Sequence, residues 1–281
     1  MLGAIIGDIA GSRFEFDNYR KKDFEFFTDD CFVTDDSIIT LCLAKAVMET
    51  VKTTKVNITN GVYDEHFYNL LEDLSIKYMQ KIGRNYPSCG YGGRFYEWIF
   101  SNNPKPYNSY GNGSAMRVSP VVYIARNEGE VIKLSDTVTG ITHNHEEGLK
   151  GAQATALCIH MALRKNTKEQ MQKFISSNYY NLNFTIDEIR SMYKFNETCQ
   201  DTVPQAIKAF LESESFEDAI RVAVSVGGDS DTLAAITGSI AEAFYTVPAD
   251  IETKALSFLD SQMISIYREW EEFKKQHSQE A

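Results

Sequence analysis

Two short acidic runs carry the chemistry most readable in this chain. Thr34-Asp35-Asp36 and Asp229-Ser230-Asp231-Thr232 each stand where a loop runs into an expected helix. Within a helix, three consecutive residues point in different directions, whereas at an N-terminal turn the chain changes course and several oxygens can converge. The carboxylates of Asp35, Asp36, Asp229 and Asp231, with the hydroxyls of Thr34 and Thr232, make an oxygen-only donor set. Such a set suits Mg²⁺, Mn²⁺ or Ca²⁺ and offers zinc no soft ligand. Either run alone reads as a helix cap, because Asp and Thr are favoured at N-caps and acids favour the first turn. Together, with Gly227-Gly228 ahead of the second, they point to a metal site, since four carboxylates gathered without a cation repel strongly.

Three other segments have a chemical and a plainer reading. Glu15 follows Gly7-Asp8-Ile9-Ala10-Gly11 and sits between Phe14 and Phe16. A carboxylate between aromatic rings has a raised pKa and can act as acid or base; the plainer reading is a glycine-packed helix followed by a surface glutamate. In Ser109-Tyr110-Gly111-Asn112-Gly113-Ser114-Ala115-Met116-Arg117, two glycines permit positive φ, and a following helix would offer free N–H groups to phosphate. A tight turn explains the same residues. In Thr142-His143-Asn144-His145, a neutral histidine can bond a phosphate or ribose, although histidines so placed also serve as polar loop residues. Metal ligation by them is disfavoured, because the acidic set has no need of nitrogen.

The elements that must position these groups are helices. Apolar residues at 38, 39, 42, 43, 46 and 47 recur with a 3.6-residue period from Asp36 onward. Residues 145–164 begin with Glu146 and Glu147 and continue with small and apolar residues, and 231–245 give a third helix, closed by Pro248. Further amphipathic stretches lie near 63–81, 168–176, 185–193, 204–212, 216–224 and 250–274. Loops are expected at 11–34, 83–94, 101–114 and 225–230. No alternating Val/Ile/Thr run is paired across a tight turn, so the fold class is all-α. Neither a low-complexity linker nor a fixed-period repeat appears, and residues 1–281 read as one domain.

Composition narrows the classes of function. The chain has 281 residues, 43% of them hydrophobic and 24% charged, as in an ordinary globular protein. A net charge of −11 opposes binding to nucleic acid or to an anionic membrane surface. The five cysteines, at 31, 42, 89, 158 and 199, show no Cys-x-x-Cys spacing, so neither a disulfide framework nor a thiolate zinc site is expected. The apolar run at the amino terminus is broken by Asp8 and has no basic stretch before it, and no segment reaches the ~20 apolar residues of a membrane span. The expected compartment is cytoplasmic.

In this order and spacing, GDIAGSRFE, TDDS, SYGNGSAMR, THNH and GGDSDT resemble the ADP-ribosylglycohydrolase family, of the dinitrogenase-reductase-activating glycohydrolase and ADP-ribosyl-acceptor hydrolase type, over residues 3 to about 245. The resemblance implies an orthogonally packed helical domain with two divalent cations, Mg²⁺ or Mn²⁺, that removes ADP-ribose from an acceptor such as an arginine or serine side chain. It carries the family's metal motifs onto Thr34, Asp35 and Asp36 and onto Asp229, Asp231 and Thr232. Its catalytic glutamate falls on Glu15, with Asp36 beside it as a catalytic carboxylate. Its ADP-contacting residues fall on Ser109, Tyr110, Asn112 and His143. The implied partner is an ADP-ribosylated protein or small molecule. Two departures stand out: Ser37, where many members have Thr, and the segment Gly90–Trp98, which suggests a subfamily with its own acceptor. A non-catalytic, crystallin-like ADP-ribose binder and a pyrophosphohydrolase of ADP-ribose are the rival readings.

Overall fold

A computed structural model describes residues 1–278. Among them are fifteen helices and no strand; the one isolated bridge joins Gly111 to Thr198. The order is α1 (Leu2–Ser12), α2 (Asp35–Thr54), α3 (Glu65–Gly83), α4 (Gly93–Phe100), α5 (Gly113–Met116), α6 (Ser119–Val122), α7 (Glu128–Gly140) and α8 (Glu146–Leu163). There follow α9 (Lys168–Asn178), α10 (Ile186–Arg190), α11 (Cys199–Glu212), α12 (Phe216–Val224), α13 (Ser230–Phe244), α14 (Ala249–Leu256) and α15 (Ser261–Ser278). The all-α expectation holds, and α2, α8 and α13 lie where the apolar period placed them.

The structure differs from expectation in several places. Helix α7 was not foreseen, although Asn127 caps it by accepting from Glu130 N and Val131, Leu134 and Val138 bury its inner face. The stretch expected as one helix over 250–274 is two, α14 and α15, because residues 257–260 turn between them. The helix expected over 185–193 stops at Arg190. Within the unfamiliar Gly90–Trp98 segment, the chain turns helical at Gly93.

Helix α1 is central to the packing. All of its residues are buried, so it cannot present a polar face to water. Its glycines allow backbone-to-backbone contact with α13: a Cβ on Gly7 would stand 2.0 Å from the Ala234 carbonyl oxygen, and one on Gly11 would stand 2.6 Å from Asp231 Cα. The C-terminal end of α1 therefore abuts the start of α13. The buried side chains, including Trp270, Phe67, Phe210 and Phe216, form one contiguous apolar cluster. All five cysteines are free thiols. No helix among the described residues is long and apolar enough to cross a membrane.

Candidate active site

Asp8, fully buried in α1, organises the first acidic run. Its carboxylate accepts from Thr34 N at 3.1 Å, Thr34 Oγ1 at 2.7 Å, Ser37 N at 3.1 Å and Ser37 Oγ. Four donors on one carboxylate fix the first turn of α2 against α1. The Thr34 hydroxyl also accepts from Asp36 N at 3.2 Å, so Thr34 does act as the N-cap of α2. Asp35 N donates to Cys89 O at 3.0 Å, which ties the same turn to the glycine-rich segment.

The second run is held differently. Asp229 occupies the N-cap position of α13 but makes no capping bond; its Oδ2 instead accepts from Asn112 Nδ2 at 2.7 Å. Gly227 and Gly228 have φ of 79° and 74°, a conformation side chains disfavour, and Gly228 N donates to Asn18 Oδ1 at 3.1 Å. This turn thereby meets the loop that carries Glu15. Thr232 Oγ1 donates to Asp36 Oδ2 at 3.2 Å and joins the two runs directly.

Both runs line one cavity of about 470 Å³, a size ordinary for small-molecule sites. Glu15, Asp35, Asp36, Asp229, Asp231 and Thr232 lie on its wall, as do Ser109, Tyr110, Asn112 and His143. Thr34 is the one expected residue that does not line it; its hydroxyl is taken up by Asp8 and the α2 cap. Of the ADP-contacting set, Asn112 donates to Asp229 and to Thr202 Oγ1 at 3.1 Å, so its amide nitrogen serves the acidic run. Ser109 Oγ accepts from Gly111 N at 3.2 Å and shapes the glycine turn. Tyr110 is 45% exposed, its ring 5.1 Å from that of His145, which caps α8.

Burial sets the electrostatics. It pushes Glu15 up to about 7, helped by Asp229, Asp8 and Glu197. It likewise raises Asp35 to about 8, with Asp8 and Asp229 adding repulsion. Asp36 and Asp231 are held well above the carboxylate range, again by burial first and neighbouring acids second. Asp8 rises only to about 6, because its four donors offset part of the desolvation.

Asp8, Arg117 and Glu197 escaped sequence reasoning. Asp8 stood in view inside the Gly-Asp-x-x-Gly stretch, but its buried role depends on α2 packing over it. Nothing local distinguishes Arg117 or Glu197, which reach the cavity through tertiary contacts alone. The Gly90–Trp98 segment also lines the wall, through Gly90, Gly92, Gly93, Arg94 and Phe95.

The donor chemistry fits divalent cations. Asp36 Oδ1 and Asp231 Oδ1 are buried without a hydrogen-bond partner, and both residues face the cavity. Among the described residues, no three His, Cys, Asp or Glu side chains form a closed cage as they stand. A bound cation would neutralise these carboxylates and so offset the burial, and secondarily the mutual repulsion, that raise their pKa values.

The sequence matches the family described as ADP-ribosylglycohydrolase over residues 1–270. It is 28% identical over 269 residues to the ADP-ribosylarginine hydrolase Tri1 of Pseudomonas putida, covering 88% of this chain and 70% of that protein. It is 24% identical to the ADP-ribosylhydrolase ARH3 of Xenopus tropicalis, covering 93% and 91%. A solved structure titled ADP-ribosylglycohydrolase-related protein complex superposes with a TM-score of 0.62 at 20% identity, covering 95% of this chain and 96% of that one. That likeness concerns the fold.

Proposed function

The chain belongs to the ADP-ribosylglycohydrolase family, and from that premise we propose that it is a metal-dependent hydrolase. It cleaves the glycosidic bond between ADP-ribose and an acceptor, such as an arginine or serine side chain, and releases ADP-ribose. One observation carries this reading: two acidic runs from opposite ends of the chain meet on the same cavity wall as Glu15.

Asp35, Asp36, Asp229, Asp231 and Thr232 would hold two divalent cations, Mg²⁺ or Mn²⁺, with Thr34 behind them. When bound, such cations supply charge neutralisation and Lewis-acid activation of water. Glu15 takes a proton from the attacking water or gives one to the leaving atom, and its pKa of about 7 suits exchange near neutrality. Asp36 and its neighbours offer negative charge to the oxocarbenium-like sugar in the transition state. Ser109, Tyr110 and His143 hold the ADP moiety, with the exposed Tyr110 ring available to adenine. Asn112 keeps the Asp229 carboxylate in place. The named activities of the relatives, on ADP-ribosylarginine for Tri1 and as an ADP-ribosylhydrolase for ARH3, support the reaction class.

The test is a panel of defined ADP-ribosyl linkages, arginine and serine among them, with products identified by mass. Intact ADP-ribose released from at least one linkage, and lost on chelation, is the expected result. AMP with ribose phosphate would assign a pyrophosphohydrolase instead, and tight binding without turnover would assign a reader.

A further inference from the structure

Arg117 is 1% exposed, and among the described residues it has no carboxylate partner, unlike the ion-paired Arg126, Arg190 and Arg221. Its Nε is buried without a hydrogen-bond partner. A buried guanidinium with no carboxylate in direct contact is costly, so a fold that keeps one beside a cavity has a use for it.

The guanidinium reaches His143 in two ways. Arg117 Nη2 donates to Thr142 Oγ1 at 2.5 Å and stands 3.4 Å from His143 Nδ1. Thr142 Oγ1 is 2.7 Å from the same Nδ1. Arg117 can only donate. A proton on Nδ1 would confront it with a second donor, and the Thr142 hydroxyl stands 2.7 Å from Nδ1 but 3.5 Å from its other acceptor, Thr139 O, so Nδ1 presents its lone pair and accepts from that hydroxyl. The imidazole proton then belongs on Nε2. That nitrogen has no partner among the described residues and lies beside the glycine turn, where a Cβ on Gly111 or Gly113 would stand 3.5 or 3.6 Å from it.

We propose that Arg117 is a positioning residue which, through Thr142, locks His143 as a neutral donor whose Nε2–H is aimed at an oxyanion over Gly111 and Gly113. The oxyanion is a phosphate oxygen of the ligand; that assignment rests on the ADP-ribose reading, whereas the tautomer does not. Burial, Arg117 and Arg94 together hold the imidazole well below its usual pKa, which keeps the donor uncharged. The neutral ring thus supplies direction without adding a charge of its own.

Long-range ¹H–¹⁵N NMR correlation of the imidazole nitrogens tests this on the intact protein at pH 7. In the wild type, His143 should show a protonated Nε2 and an unprotonated Nδ1. Thr142→Ser, which keeps the hydroxyl, should preserve that pattern. Thr142→Val should lose it and weaken ADP-ribose binding about tenfold, the scale of one hydrogen bond to a charged group, with adenosine binding unchanged. An Nδ1–H tautomer or an imidazolium in the wild type overturns the proposal, and so does a Thr142→Val protein that keeps the wild-type tautomer or weakens adenosine equally. If the wild type binds no ADP-ribose at all, the family reading of the ligand and the phosphate assignment both fall; the resting spectrum, which needs no ligand, still decides the lock.

Discussion

Thr232 Oγ1 donates to Asp36 Oδ2 at 3.2 Å, a bond between residues 196 positions apart that joins the first turn of α13 to the first turn of α2. Each of those turns carries a pair of carboxylates, and α1 lies against both. Asp36 Oδ1 and Asp231 Oδ1 lie buried and unsatisfied on a shared wall beside it.

Asp35→Asn and Asp231→Asn should each lower ADP-ribose release by at least about 10²-fold, a loss typical of removing a group that acts in the transition state. Without added metal, both variants should melt above the wild type, since each removes a buried carboxylate from a repelling group. Added Mg²⁺ or Mn²⁺ should then raise the wild-type melting temperature more than that of either variant. Thermal unfolding with and without metal reads the two stability outcomes, and product release followed by mass reads the first.

Glu15→Gln should reduce kcat by about 10²–10⁴-fold while leaving KM close to the wild-type value, because an amide fills the same space but cannot exchange the proton. Steady-state kinetics on whichever linkage is hydrolysed provides the measurement. An unchanged kcat would remove Glu15 from the reaction.

Stability of the chelator-treated protein should fall as pH rises. Asp8, Glu15 and Asp35 have folded-state pKa values raised to about 6, 7 and 8, above those of exposed carboxylates near 4. The folded state thus binds more protons than the unfolded one between about pH 4 and 8, and it loses that advantage as these groups ionise. Melting temperature should decline across this window, and saturating divalent metal should flatten the decline. A rising profile in the chelated protein would contradict the assigned burial.

Asp8→Asn should weaken Mn²⁺ binding by about 10–100-fold, the usual effect of disturbing a group that orients metal ligands. The amide nitrogen would face donors from Thr34 and Ser37 that now meet carboxylate oxygens. Titration followed by electron paramagnetic resonance measures the affinity.

Gly7→Ala should destabilise the protein by about 2 kcal/mol or more, because overpacking a fitted contact usually costs ~1–3 kcal/mol and its Cβ would collide with backbone 2.0 Å away. Gly93→Ala has nothing within 4 Å of the added methyl group and should melt like the wild type. Chemical denaturation of the pair separates close helix packing from a general intolerance of glycine substitution.

Much is readable in the sequence because the informative signals are local. The apolar period of α2, α8 and α13 lies in consecutive residues, and the acids of both runs sit at helix starts that their own types favour. The split of the expected 250–274 helix into α14 and α15 was missed because the four residues between them include neither Gly nor Pro. The glycine-rich segment from Gly90 onward announced itself as unusual, but its place on the cavity wall depends on the bond from Asp35 N to Cys89 O.

From residue types and spacing alone came the helical class, the two acidic runs and the glycine turn at Gly111–Gly113, while Glu15 stood out only through the family resemblance. Tertiary structure alone decided that Asp8 binds Thr34 and Ser37, that Asn112 is committed to Asp229, and that Arg117 reaches His143 through Thr142. The reason is physical. Helix period and capping act over a few residues and leave their mark on the sequence, whereas a buried charge gains its role from groups brought beside it by packing across the whole chain.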